Sequence, residues 1–123
     1  MAVKGVFVSA SEFREFEPGD IVFAEGDPGT QMFGVVSGRI ELRSAGRAVA
    51  EIGPEGTFGE LAIIDHVARS LTAVATEASR VAVIDERTFL YLVHETPTFA
   101  LSVMRSMAAR IRELDGTQDG DQT

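Results

Sequence analysis

A chain of 123 residues, 45% of them hydrophobic, is large enough for one domain with a real core. Its net charge of −8 and scattered arginines oppose direct binding to DNA or RNA, whose phosphates attract clustered basic residues. The lack of cysteine excludes disulfides, thiolate zinc sites and iron–sulfur clusters, and no apolar run nears the ~20 residues that span a bilayer.

The start, from Met1 to Ala10, turns polar too soon for a secretory signal, so a cytoplasmic protein is expected. Glycine and proline then punctuate the first half at Pro18-Gly19-Asp20, Gly26-Asp27-Pro28-Gly29, Ser37-Gly38, Ala45-Gly46 and Gly53-Pro54-Glu55-Gly56. Between these turns lie segments rich in β-branched and aromatic residues: Ile21 to Phe23, Met32 to Val36, and Arg39 to Arg43. Arg39 to Arg43 alternates polar with apolar, as a half-buried strand does. Ala45-Gly46-Arg47 predicts a hairpin turn into a strand over Ala48 to Ile52. Two more strands are expected near Leu71 to Thr76 and Arg80 to Ile84, which together predict an all-β sandwich or barrel.

After Asp85 the period changes. Asp85-Glu86-Arg87-Thr88 ahead of Phe89, Leu92 and Val93 predicts an N-capped helix, and Thr96-Pro97 opens a second. In the second, Leu101, Met104, Met107, Ala108, Ile111 and Leu114 recur at three and four as one stripe. Such a stripe suits packing on the β-structure or a short coiled coil between two copies. Residues 115–123 are polar and expected to form a disordered acidic tail, which leaves one domain over residues 1–114.

The chemistry concentrates in residues 58–73. Gly59 lets the backbone approach a ligand closely, and the amides opening a short apolar helix at Leu61 and Ala62 point at negative charge. Arg69 is suited to clamping a phosphate through paired charge-assisted hydrogen bonds, with Ser70 as an added donor. Glu60, when ionised, only accepts hydrogen bonds and needs a donor beside it, such as a sugar hydroxyl. This is a cradle for a nucleotide's phosphate and ribose, with no nucleophile and base placed together, so no enzyme is expected. His66 and His94 stand apart and at no metal-ligand spacing, so no metal is expected either.

Phe58-Gly59-Glu60-Leu61-Ala62 followed by Arg69-Ser70 resembles the phosphate-binding cassette of cyclic nucleotide-binding domains. That module is shared by bacterial catabolite activators, cyclic-nucleotide-dependent kinases and gated channels. Upstream, Glu17-Pro18-Gly19-Asp20, Glu25-Gly26-Asp27 and Ser37-Gly38-Arg39-Ile40 resemble the family's turns, and Met107 to Arg112 resembles its C-terminal helix. The similarity runs over residues 13–114.

The resemblance implies a mainly β fold, an eight-stranded jelly-roll β-barrel with a short cassette helix and two C-terminal α-helices. It implies cAMP as the favoured ligand, with cGMP open, and no separate cofactor. Glu60 would bond the ribose 2′-hydroxyl, and Arg69 and Ser70 would hold the cyclic phosphate. Amides near Leu61 and Ala62 would complete the anion site, and Leu71 and Thr72 would enter the next strand, Thr72 beside base or phosphate.

The chain departs from the family at three points. The loop Asp65-His66-Val67-Ala68 lacks the glycine and proline often found there, and the Thr-Ser pair with which the catabolite activator reads adenine is replaced by Leu114 and Asp115. No effector follows the last helix in this sequence. The expectation is therefore a receptor whose C-terminal helix relays occupancy to an unidentified protein in trans or to a second copy, or else a domain excised from a larger protein. The alternative is a degenerate member that keeps the fold and serves as a nucleotide-independent interaction module. Arg110 and Arg112 are expected as solvated cations, unless one stacks on the purine as in some channel members.

Overall fold

The computed structural model describes residues 7, 10 and 12–119, with only the backbone course given for 113–119. Eight strands form in chain order: β1 (Phe13–Phe16), β2 (Ile21–Phe23), β3 (Gln31–Ser37), β4 (Ile40–Ser44), β5 (Arg47–Ile52), β6 (Thr57–Phe58), β7 (Thr72–Ala75) and β8 (Ser79–Asp85). Three helices join them: α1 (Leu61–Ile64), between β6 and β7, then α2 (Glu86–Glu95) and α3 (Thr98–Asp119). The expected mainly β fold with C-terminal helices is what forms. The strands make two four-stranded antiparallel sheets, β1-β8-β3-β6 and β2-β7-β4-β5, so the jelly roll is a sandwich of two sheets and not one closed barrel.

Alternation along the strands divides the interior into two layers. Phe33, Val35, Val81 and Val83 pack between the sheets against Phe23, Ile40, Leu42, Ile52 and Phe58. Their neighbours Met32, Ala82 and Ile84 face the other way, onto Ile63 of α1, Leu92 of α2, and Phe99 and Val103 of α3. This is why Val81-Ala82-Val83-Ile84 reads as an unbroken apolar run: β8 is covered on both faces.

The local chemistry of the ends matches the elements. Ala45 and Gly46 both take positive φ, 53° and 80°, as a two-residue turn between antiparallel strands demands. Asp85 caps α2 by accepting the Thr88 amide on its side chain at 2.8 Å. The amides of Phe99 and Ala100 bond back to Thr96 and Pro97, which starts α3 where the proline predicts.

Three expectations change. Strands β1 and β6 were not separable as strands from the residues, since Phe13-Arg14-Glu15-Phe16 is an edge strand rich in charge and β6 is only two residues long. The apolar residues of α3 do not form one stripe. Phe99 and Val103 turn inward with the part-buried Met107 behind them, whereas Leu101, Met104 and Ile111 are 47%, 58% and 58% exposed. The helical backbone continues through Asp119, over residues 115–119 of the expected tail, and residues 120–123, like Leu114's side chain, lie outside what is described.

Candidate functional site

β6 delivers the chain to the site. Phe58 pairs with Phe33 across the ladder and stacks on its ring, with centroids 5.3 Å apart. At Gly59 the backbone turns through φ 80°, and a Cβ there would lie 3.0 Å from an Arg69 nitrogen. Glu60 then opens α1, whose Ala62 and Ile63 are buried. After Asp65 the chain reverses at His66, whose φ of 55° lies in the left-handed region.

The return segment is tied to the β2–β3 loop. The Arg69 amide donates to the Asp27 carbonyl at 2.8 Å, the Gly26 amide donates to the Arg69 carbonyl at 2.8 Å, and the Glu25 amide donates to the Thr72 hydroxyl at 2.9 Å. Thr72 thereby braces this loop and is not among the residues around the cavity beside Arg69. The Ala62 amide is likewise turned inward, onto the Gly59 carbonyl at 3.3 Å.

Arg69 is 8% exposed. One terminal nitrogen donates to the Gly59 carbonyl at 3.1 Å, and Cζ lies 4.3 Å from the centre of the Phe23 ring. Burial lowers its pKa, opposed by the charges of Asp27 and Glu60; an arginine so placed remains a cation. Its Nε is buried without a hydrogen-bond partner among the described residues.

Glu60, 4% exposed, is its counterpart: Oε1 is buried with no donor among the described residues, while Oε2 pairs with the Arg110 guanidinium. Arg110 arrives from α3 and is itself held, donating to the Thr57 carbonyl at 3.3 Å and the Ser106 hydroxyl at 3.2 Å. Ser106 donates to that same carbonyl at 3.2 Å. Arg110 is thus an enclosed, paired cation and not a solvated one. The sequence carries no local signal for the pair, because its members are 50 residues apart.

Gly59, Glu60, Leu61, Ala62, Arg69, Ser70 and Leu71 converge with Phe23 and Arg110 on an inner cavity of about 60 Å3. Beside it a largely apolar recess of about 210 Å3 is lined by Val49, Leu61, Leu71, Met107 and Ile111 together with Glu60, Ser70 and Arg110. Among the described residues, no three of His, Cys, Asp or Glu gather at one point. No described helix is long and apolar enough to cross a membrane.

A buried guanidinium, a buried carboxylate and an apolar recess thus adjoin one another in the β-sandwich, beside the last helix. The family model of the cyclic nucleotide-binding domain matches residues 13–96, more than half of the chain, and the chain belongs to that family.

A curated relative, the cyclic AMP receptor protein of Thermus thermophilus, is 31% identical over 107 residues, covering 83% of this chain and 50% of that protein. The crystal structure of the Thermus thermophilus catabolite activator protein is similar with a TM-score of 0.74 at 29% identity, covering 93% of this chain and 55% of the other. A structure described under a cyclic-GMP-dependent signalling pathway that regulates bacterial phytopathogenesis has a TM-score of 0.69 at 32% identity, covering 86% and 88% of the two chains. The chain spans half or less of the length of the first curated relatives it matches.

Proposed function

We propose that the chain is a receptor for a cyclic nucleotide, cAMP in the first place and cGMP in the second, and that it signals through α3. One observation carries the reading. A cationic donor, Arg69 Nε, and an anionic acceptor, Glu60 Oε1, are both buried without partners among the described residues at the same cavity. A cyclic phosphate supplies the acceptor for Arg69, with the Ser70 hydroxyl as a second donor. The ribose 2′-hydroxyl supplies the donor for Glu60, and the purine enters the recess between Leu71 and Met107. The name of the Thermus receptor supports cAMP; the cyclic-GMP pathway structure keeps cGMP in view.

The reading assigns the chain no catalytic step. A ligand hydroxyl on Glu60 Oε1 joins the carboxylate whose other oxygen holds Arg110, so occupancy shifts the balance of α3 positions. The surface this helix presents then acts in the cytoplasm on another protein or on a second copy. The exposed Leu101, Met104 and Ile111, spaced three and seven apart, support the second copy. Sedimentation of the full chain over a range of concentrations, with and without nucleotide, tests that arm; a monomer throughout leaves only a partner in trans.

The central test is titration calorimetry of the nucleotide-stripped chain with cAMP and then cGMP. Saturable binding is expected, and the ratio of affinities identifies the messenger. Folded protein that takes neither nucleotide would instead be the nucleotide-independent interaction module.

A further inference from the structure

Besides the Gly59 carbonyl, the Arg69 guanidinium is seated by two residues outside the cassette motif. On one side is the Phe23 ring, 4.3 Å from Cζ, with Phe33 further off at 5.6 Å. Against its Nε and NH2 side lies Gly29. A Cβ built on Gly29 would stand 2.4 Å from NH2 and 2.5 Å from Cζ and Nε, far inside contact distance. Gly29 is not in the left-handed region, so its backbone does not require glycine; the space does. The loop bearing Gly29 is fixed to Arg69's own backbone through Gly26 and Asp27. Ring and bare backbone therefore move with the arginine they flank.

We infer that Gly29 and Phe23 are positioning residues for Arg69, which set cyclic nucleotide affinity through the placement of that guanidinium. The inference deepens the receptor reading and rests on it for its binding arm. A guanidinium confined by a ring, by a glycine and by a hydrogen bond to the Gly59 carbonyl keeps few rotamers to lose when an anion arrives. Its fork is then aimed before the ligand enters. Any side chain at position 29 displaces the group from its seat.

Two measurements on the full chain test this. In calorimetry, Gly29→Ala is expected to weaken cAMP or cGMP binding at least tenfold. In an Arg69→Ala background the same change is expected to cost less than twofold, because its only route to the ligand is then gone. Phe23→Leu, which keeps apolar bulk and removes the ring, is expected to weaken binding three- to tenfold, and it serves where Gly29→Ala fails to fold. Wild-type affinity in Gly29→Ala, or equal losses with and without Arg69, overturns the inference.

The second measurement needs no nucleotide. In proton–nitrogen spectra of arginine side chains, the Arg69 Hε resonance is expected upfield of the others and slow to exchange, owing to the Phe23 ring and to burial. Gly29→Ala and Phe23→Leu should each return it toward the other arginines; a resonance that neither variant moves overturns the seat. Should the wild-type chain bind neither nucleotide while both variants shift this resonance, the receptor reading fails and the seat stands.

Discussion

Glu60 in the cassette and Arg110 on α3 form a nearly buried ion pair, and through it the acid at the cavity is joined to the helix at the end of the fold. The pair is further anchored where Arg110 and Ser106 share the Thr57 carbonyl, just ahead of the cassette. A charge so enclosed is favourable only while its partner remains.

Arg110→Met should therefore destabilise the free chain by about 3 kcal/mol, since it leaves a buried carboxylate without a cation. Adding Glu60→Gln to that variant should recover most of the loss. Urea unfolding of the two single variants and the double measures both; a loss below about 0.5 kcal/mol would show that the pair is a surface contact in solution.

Arg69→Ala should lower cyclic nucleotide affinity by about 2–4 kcal/mol, roughly 30- to 1000-fold, the range for charge-assisted hydrogen bonds lost to a phosphate. Binding kept within about threefold would place the phosphate elsewhere. Glu60→Ala should weaken the ribose ligand more than its 2′-deoxy analogue. Equal losses for both, by calorimetry, would argue against a contact to that hydroxyl.

The cap of α2 gives a pH-dependent expectation. Hydrogen bonds from Thr88, backbone first and then side chain, hold the Asp85 carboxyl below its ordinary value of 3.8. The folded pKa is depressed, so the cap's contribution is present above the unfolded value and is lost as pH falls through the folded one. Asp85→Ala should cost about 1 kcal/mol at pH 7. In urea unfolding from pH 7 down to pH 2, the gap between variant and wild type should close only at the acid end.

At the β4–β5 turn, Ala45 holds a φ of 53° that an alanine adopts at a cost. Ala45→Asn should raise stability by up to about 1 kcal/mol, because Asn-Gly suits a turn with two positive φ values. Thermal unfolding checks the sign, and a lower midpoint would mean that the asparagine side chain is not accommodated there.

The parts of the fold legible in the sequence were those with local causes. The Ala45-Gly46 hairpin, the Asp85 cap and the Thr96-Pro97 start each follow from a few adjacent residues. The cassette was legible for the same reason: Gly59, Glu60 and Arg69 lie within one short segment, and the structure gathers them on one cavity. What escaped depends on distant pairing. Strand β6 exists because Phe58 finds Phe33, and Arg110 has a role because α3 crosses the cassette. The bracing role of Thr72 escapes because its partner, the Glu25 amide, belongs to a loop 47 residues earlier. The two-sided fate of α3 was hidden because periodicity at three and four marks an apolar face without saying how many faces there are.

Phe99 is wedged beside Phe7 and Phe89, with ring centroids 6.1 and 5.7 Å away, at the root of a long rod. Val103, one turn further along, shares a cluster with Ile63 of the cassette helix. At 1.5 Å per residue, Val103 stands about 6 Å from that root and the far end at Asp119 about 30 Å. On that geometry a rotation about Phe99 that moved Val103 by roughly one ångström would carry the far end by roughly five.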